Sequence, residues 1–278
     1  MAISDHVLDI PRIFSLADVS ALSQGISRQP FEIGYGSLVL AGIMFALGGM
    51  MLFRMLFTTP ELIDNNVVGG FKFVYLAQIF ASFFFLPLIS GAMKYEAVEQ
   101  AVSNEAGALI SFDRLIAQSS TPNRENLREM VRRYAKAVVE DEWQANVIGE
   151  ASPIAKKAIQ DIFAEFLNCD AKNSTDNSVL ALAREHLLRV VDFRQNRYNA
   201  VNDDLLPLVM IVNFTAALIS LIFVWIYGSI LPRLQLMMSA ILAIAIVTVV
   251  YVSCVLNNPL LGEIAISNQP FAEIYEEL

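Results

Sequence analysis

Three polar residues interrupt an otherwise apolar stretch: Tyr75, Gln78 and Ser82. Their spacing places them on one face of a helix. Polar groups so placed in a long apolar helix do one of two things: they bond a neighbouring helix, or they border a water-filled path. Both readings remain open at this level. The rest of the chain is poor in reactive constellations. The two histidines, His6 and His186, have no partners at metal-ligand spacing, and two cysteines, Cys169 and Cys254, make neither a disulfide framework nor a four-ligand site. Phosphate-binding glycine loops and a nucleophile elbow are missing. No metal, cofactor or enzymatic activity is expected. The acidic runs Glu140-Asp141-Glu142 and Asp203-Asp204 read as solvated faces or caps, and a net charge of −9 argues against nucleic acid.

The elements that must position such a polar face are four apolar blocks, at 37–57, 70–93, 205–227 and 234–256. Each meets the roughly 20 residues needed to cross a bilayer. The last two carry no charge, which is uncommon for the amphipathic helices of a soluble core. The expected fold is therefore all-α and polytopic: two transmembrane hairpins with a helical domain inserted between helices 2 and 3. The segments are 1–33 (N-terminal), 34–93 (hairpin 1), 94–204 (inserted domain), 205–256 (hairpin 2) and 257–278 (tail). Gly42, Gly48 and Gly49 in the first block suit close helix–helix approach. Cys254 is expected to pack as a small hydrophobe.

Only Arg54, Lys72 and Arg233 of the 19 basic residues flank the two hairpin loops. The positive-inside rule then puts both termini and the inserted domain in the cytoplasm. Residues 1–33 lack strong pattern and hold either a short amphipathic stretch or disorder. The stretch 58–70 reads as a turn-like outer loop. Pro87 is expected to kink the second span.

In the inserted domain, Tyr95, Val98, Val102, Leu109, Phe112 and Ile116 recur at helical period, as though the second span continued into it. A second helix follows 119–121, with Pro122 suited to its first position and Leu127, Val131, Tyr134 and Val138 on one face, then Trp143 and Val147. A third runs 153–167, 168–177 is a loop, and a fourth runs 178–201. Asn202, Asp203 and Asp204 are placed to cap the third span. Pro259 should end the fourth, with the tail packing back on the inserted domain.

This layout, with three stretches of sequence, resembles a bacterial bestrophin-like membrane family. The first stretch leaves the second span, Lys94-Tyr95-Glu96-Ala97-Val98 through Glu105 to Arg114. The second contains Tyr134, a valine pair, Glu142 and Trp143. The third is the tail, Asn258-Pro259-Leu260-Leu261-Gly262-Glu263, with Pro270-Phe271. The bestrophins proper are pentameric anion channels with four spans per subunit, whose second span lines the pore. The resemblance implies a homo-oligomer in a bacterial inner membrane, with Ile79 and Phe83 as candidates for an apolar neck. The tail departs from the bestrophin pattern at Leu260-Leu261, and the acidic run of the bestrophin calcium clasp is missing.

Two functions are therefore expected. The first is an ion-channel or pore subunit, its partners the lipid bilayer, copies of itself and inorganic ions. Anion selectivity comes from the resemblance alone, since acidic residues outnumber basic ones in 94–204. The second is a non-conducting membrane anchor whose helical domain binds a protein.

Overall fold

The computed structural model describes residues 16–169, 171, 173–202 and 206–277. The described residues form helices and turns, with no strand among them. In chain order these are α1 (Leu16–Ser27), α2 (Phe31–Leu56), α3 (Thr59–Gln118), α4 (Arg124–Ala137), a π-helical turn (Val138–Glu142), α5 (Trp143–Val147), α6 (Pro153–Phe166), α7 (Ser174–Val201), α8 (Leu206–Val224), α9 (Pro232–Asn257) and α10 (Gln269–Glu277). Four of them, α2, α3, α8 and α9, are long and apolar enough to cross a membrane.

The described residues divide into two compact units, one drawn from 16–29, 33–87 and 206–254, the other from 30–32, 88–202 and 255–277. In the first, α8 and α9 form the interior: Met210, Ala217, Leu221, Ala243, Ile246, Val250 and Cys254 pack with Ala46 of α2 and Val19 of α1. Cys254 is thus a packed small residue. Gly42 lies against Val247, and Gly49 lies so close to the Trp225 ring that a Cβ would overlap it, whereas Gly48 faces open space. Two of the three glycines therefore serve helix approach. The N-terminal stretch is more than a surface element from residue 16 on: α1 packs on α8, and Ser27 Oγ donates to the Cys254 carbonyl at 3.1 Å. His6 lies outside the described residues.

The apolar windows of α2 and α3 are only 17% and 11% buried, against 39% and 44% in α8 and α9. Met55, Tyr75 and Phe71 are 84%, 74% and 70% exposed. Apolar surface on this scale needs lipid or another chain to cover it.

The expected loop over 58–70 is helical instead, because α3 starts at Thr59. Thr58 and Glu61 have capping-box spacing, and the Glu61 carboxylate accepts from the Thr58 amide at 2.7 Å and from its hydroxyl at 2.8 Å. With that end closed, nothing stops the helix before Gln118, and Pro87 lies within it.

In the second unit, Val98, Val102, Leu109, Phe112 and Ile116 are all buried and meet Leu127, Val131, Tyr134 and Val138 of the next element. Tyr95 is half-buried and donates to the Ile264 carbonyl at 2.9 Å. Two helix starts differ from expectation. Helix α4 begins at Arg124, after an N-cap at Asn123, so Pro122 stands in the preceding turn. Helix α7 begins at Ser174, not 178, because the Asn173 side chain caps it by accepting from the Asp176 amide at 2.7 Å. Helix α6 starts as its sequence implies, with Ser152 Oγ accepting from Ile154 and Ala155. The Asp203-Asp204 cap lies outside the described residues.

Phe112 is fully buried and meets Phe166 edge-on at 5.6 Å. Phe112→Ala is expected to destabilise this unit by about 3–5 kcal/mol, through lost transfer energy and an unfilled cavity. A drop in the unfolding midpoint of the purified protein checks this.

Candidate functional site

The five residues expected to border a path lie on α3. Tyr75, Gln78 and Ser82 are exposed, and so are Ile79, at 52%, and Phe83, at 37%. Positions 75, 78, 79, 82 and 83 form one helical stripe, so the polar candidates and the neck candidates share a face. Ser82 Oγ donates to the Gln78 carbonyl at 3.5 Å, one turn back along the helix. The Gln78 side chain points out of the chain and does not tie α3 to a neighbour. The phenylalanines divide: Phe80 is buried, Phe84 packs on the α8–α9 interior, and Phe85 is exposed. The stripe is therefore an unpartnered face of mixed polarity on a membrane-length helix.

The second arrangement lies inside the second unit. Glu105 of α3 is fully buried, on the face that carries Val98, Val102, Leu109 and Phe112. Tyr134, also fully buried on α4, donates to Glu105 Oε1 at 2.6 Å. Arg197 of α7, 1% exposed, holds the same carboxylate through Nε at 2.9 Å and Nη2 at 3.3 Å. Glu142 accepts from Arg194 Nε at 3.0 and 3.2 Å, and its Oε1 lies 3.7 Å from Arg197. Asn146, in the amide orientation that suits both neighbours, accepts from Arg197 and donates to the Glu150 carbonyl at 3.2 Å. The Arg197 guanidinium faces the rings of Trp143 and Phe271, each 5.9 Å away. Two carboxylates and two guanidiniums thus close one neutral network joining α3, α4, α7 and the tail.

The π-helical turn puts Glu142 there. Leu127, Val131, Tyr134 and Val138 advance by four, three and four residues along the buried face. The wider turn at Val138–Glu142 then shifts the register by one, so that Glu142 and Trp143 are both buried. Glu142 is consequently no solvated residue, although its neighbour Glu140 is exposed. Desolvation acts against the Arg197 charge, but Glu105 and Glu142 outweigh it and hold the guanidinium's pKa above its usual value.

Burial, reinforced by Glu105 and Glu142, holds the Tyr134 phenol well above its ordinary pKa. Above about pH 10 the unfolded chain loses this proton before the folded chain does, so the unfolded state binds fewer protons and stability falls as pH rises from there. Tyr134→Phe should remove that share of the alkaline loss while costing about 1.5–3 kcal/mol at neutral pH for the lost bond to a charged group. Unfolding midpoints of the two proteins between about pH 8 and pH 11 check it.

The tail motif closes a turn. Pro259 has no amide hydrogen, follows the end of α9 at Asn257 and is buried. Gly262 has φ +86°, a conformation that side chains disfavour. The Ile266 amide donates to the Pro259 carbonyl at 2.8 Å, and Glu263 Oε1 accepts from the Phe31 amide at the start of α2 at 3.2 Å. Phe271 and Ile274 of α10 are buried against the unit, so the tail does fold back. Arg114 stands apart, exposed on α3.

Four of the motif residues, Glu105, Tyr134, Glu142 and Trp143, therefore converge, and what joins them is Arg197. No motif or local pattern in the sequence marks Arg197. The available signal was two acids at buried positions, which require a buried cation, and Arg194 and Arg197 stand one turn apart on a helix.

No curated protein and no solved structure matches the chain. The Bestrophin-like domain matches it over residues 40–271, which includes the α3 stripe, the buried network and the tail turn, and the chain therefore belongs to the Bestrophin-like family.

Proposed function

We propose that this protein is a homo-oligomeric ion-channel subunit of a bacterial inner membrane. In this reading α2, α3, α8 and α9 span the bilayer, and the termini and the 94–204 domain are cytoplasmic. The observation that carries it is the unpartnered stripe on α3, where Tyr75, Gln78 and Ser82 alternate with Ile79 and Phe83. Copies related by a closed rotation can turn such stripes toward a common axis. Polar rings and apolar constrictions are then the parts of a selective, gated path. Family membership supports the same reading, since bestrophins give the family its name. No catalytic role is assigned to the buried network, whose acids and bases are spent on one another. It braces the helices that hold α3.

Purified protein in planar bilayers tests this. The expected result is a current that scales with protein and reverses with an imposed salt gradient. Silence across salts, pH values and calcium concentrations would sink the channel reading and favour an anchor whose helical domain binds a partner.

A further inference from the structure

An elongated cavity of about 660 Å³ lies in the first unit, between the start of α3 and the first half of α9. That is within the roughly 300–1,000 Å³ of a small-molecule site. Its walls are Phe73, Val224, Leu234, Met238, Ile241 and Ala245. The polar groups at one end are already bonded within the protein. Asn66 exchanges bonds of 2.7 and 3.1 Å with the Gly228 backbone, and Tyr227 Oη donates to the Gly69 carbonyl at 2.8 Å. Gln235 binds Arg54 and the Tyr227 carbonyl. A polar solute would find few open partners there, and a hydrocarbon needs none.

Three observations specify the occupant. From Leu234 to Ala245, α9 rises about 16 Å at 1.5 Å per residue. That is close to half of a roughly 30 Å hydrocarbon core, the depth of one leaflet. The cavity opens sideways, since Leu234, Met238 and Ile241 are 45%, 63% and 59% exposed. Basic residues flank its polar end along the chain: Arg54 binds the lining residue Gln235, and Arg233 and Lys72, both exposed, are the sequence neighbours of the lining residues Leu234 and Phe73. Positive side chains at the end of an apolar cavity suit an anionic headgroup.

We propose that this cavity holds one acyl chain of an anionic phospholipid, its headgroup at the Arg54, Lys72 and Arg233 end. The proposal rests on α3, α8 and α9 being membrane spans and is independent of conduction. Gly70 makes it testable, because it lines the cavity and a Cβ added there meets nothing within 4 Å. Gly70→Phe therefore fills the space without displacing the protein, and Ala245→Trp fills it from the opposite wall.

The experiment reconstitutes the full chain in vesicles containing phosphatidylglycerol with a photoactivatable group in its acyl chain, and maps the labelled residues. Met44 and Met51, both exposed on α2, report ordinary lipid contact. Labelling is expected to concentrate on Met238 and Ile241, to fall roughly tenfold in both filled variants, a loss of about 1.4 kcal/mol of binding, and to leave Met44 and Met51 unchanged. It should also fall when a photoactivatable phosphatidylcholine replaces the anionic lipid. Labelling at the Met44 level, indifference to both filled variants, or equal labelling by the two lipids would overturn the proposal. So would protection of Met238 and Ile241 by a second copy, detected as a chain-to-chain crosslink. Labelling absent at every site, Met44 and Met51 included, would instead contradict the membrane reading on which the proposal rests.

Discussion

Replacing Arg197 by methionine is expected to destabilise the second unit by about 3–5 kcal/mol, because it strands the buried Glu105 carboxylate without its cation and leaves Glu142 with Arg194 alone. Glu105 and Arg197 are 0% and 1% exposed, so water cannot take over the lost contacts. Glu105→Leu should cost a similar amount, since it leaves the guanidinium and the Tyr134 hydroxyl without their main acceptor. The double variant Glu105→Leu/Arg197→Met should lose much less than the sum of the two, because an apolar replacement of a buried pair removes the desolvation cost together with the attraction. Unfolding midpoints of all four proteins close this cycle. Additive losses would mean that the two groups do not act as a pair. Lysine at 197 keeps the charge but not the planar fork that grips Glu105 through two nitrogens, so Arg197→Lys should recover only part of the loss.

The second large effect is expected on α3. Phe83 and Ile79 are the bulky apolar residues of the exposed stripe, and an apolar constriction gates by excluding water. Phe83→Ala should raise the resting current on the order of tenfold, as removal of about 1.4 kcal/mol from the barrier would. Met44→Ala, exposed on α2 and so away from the stripe, should leave the current near that of the unaltered protein. Current–voltage curves of the three proteins at matched amounts check this.

Much of the architecture follows from two periodicities that the sequence displays openly. Uncharged blocks over 205–227 and 234–256 mark α8 and α9, and the 3.6-residue recurrence from Val98 to Ile116 marks the buried face of α3. Boundaries set by side-chain caps are harder to see. The Thr58–Glu61 pair turns an apparent loop into the first turn of α3, and Asn173 starts α7 within a stretch whose composition reads as a loop. The candidate site divides in the same way. The α3 stripe depends only on spacing along one helix, so it is visible in the sequence. The buried network depends on contacts between residues 92 positions apart, Glu105 and Arg197, and on a π-helical turn that moves Glu142 out of an acidic run into the interior. Local pattern assigns that run to solvent. Only the one-residue slip between Val138 and Trp143 in the apolar rhythm hints at the wider turn.

If the Tyr75–Gln78–Ser82 face of α3 borders an ion path, a water-soluble reagent reaches a side chain placed on it. The most direct test places a cysteine at Gln78 in a chain whose own cysteines, Cys169 and Cys254, are replaced, and adds a water-soluble, charged thiol reagent while current flows through the reconstituted protein. The reagent is expected to change the current of the Gln78→Cys protein within the exposure, and the cysteine-free parent should not respond. An unaltered current, with the cysteine still unmodified after treatment, would contradict a path along that face.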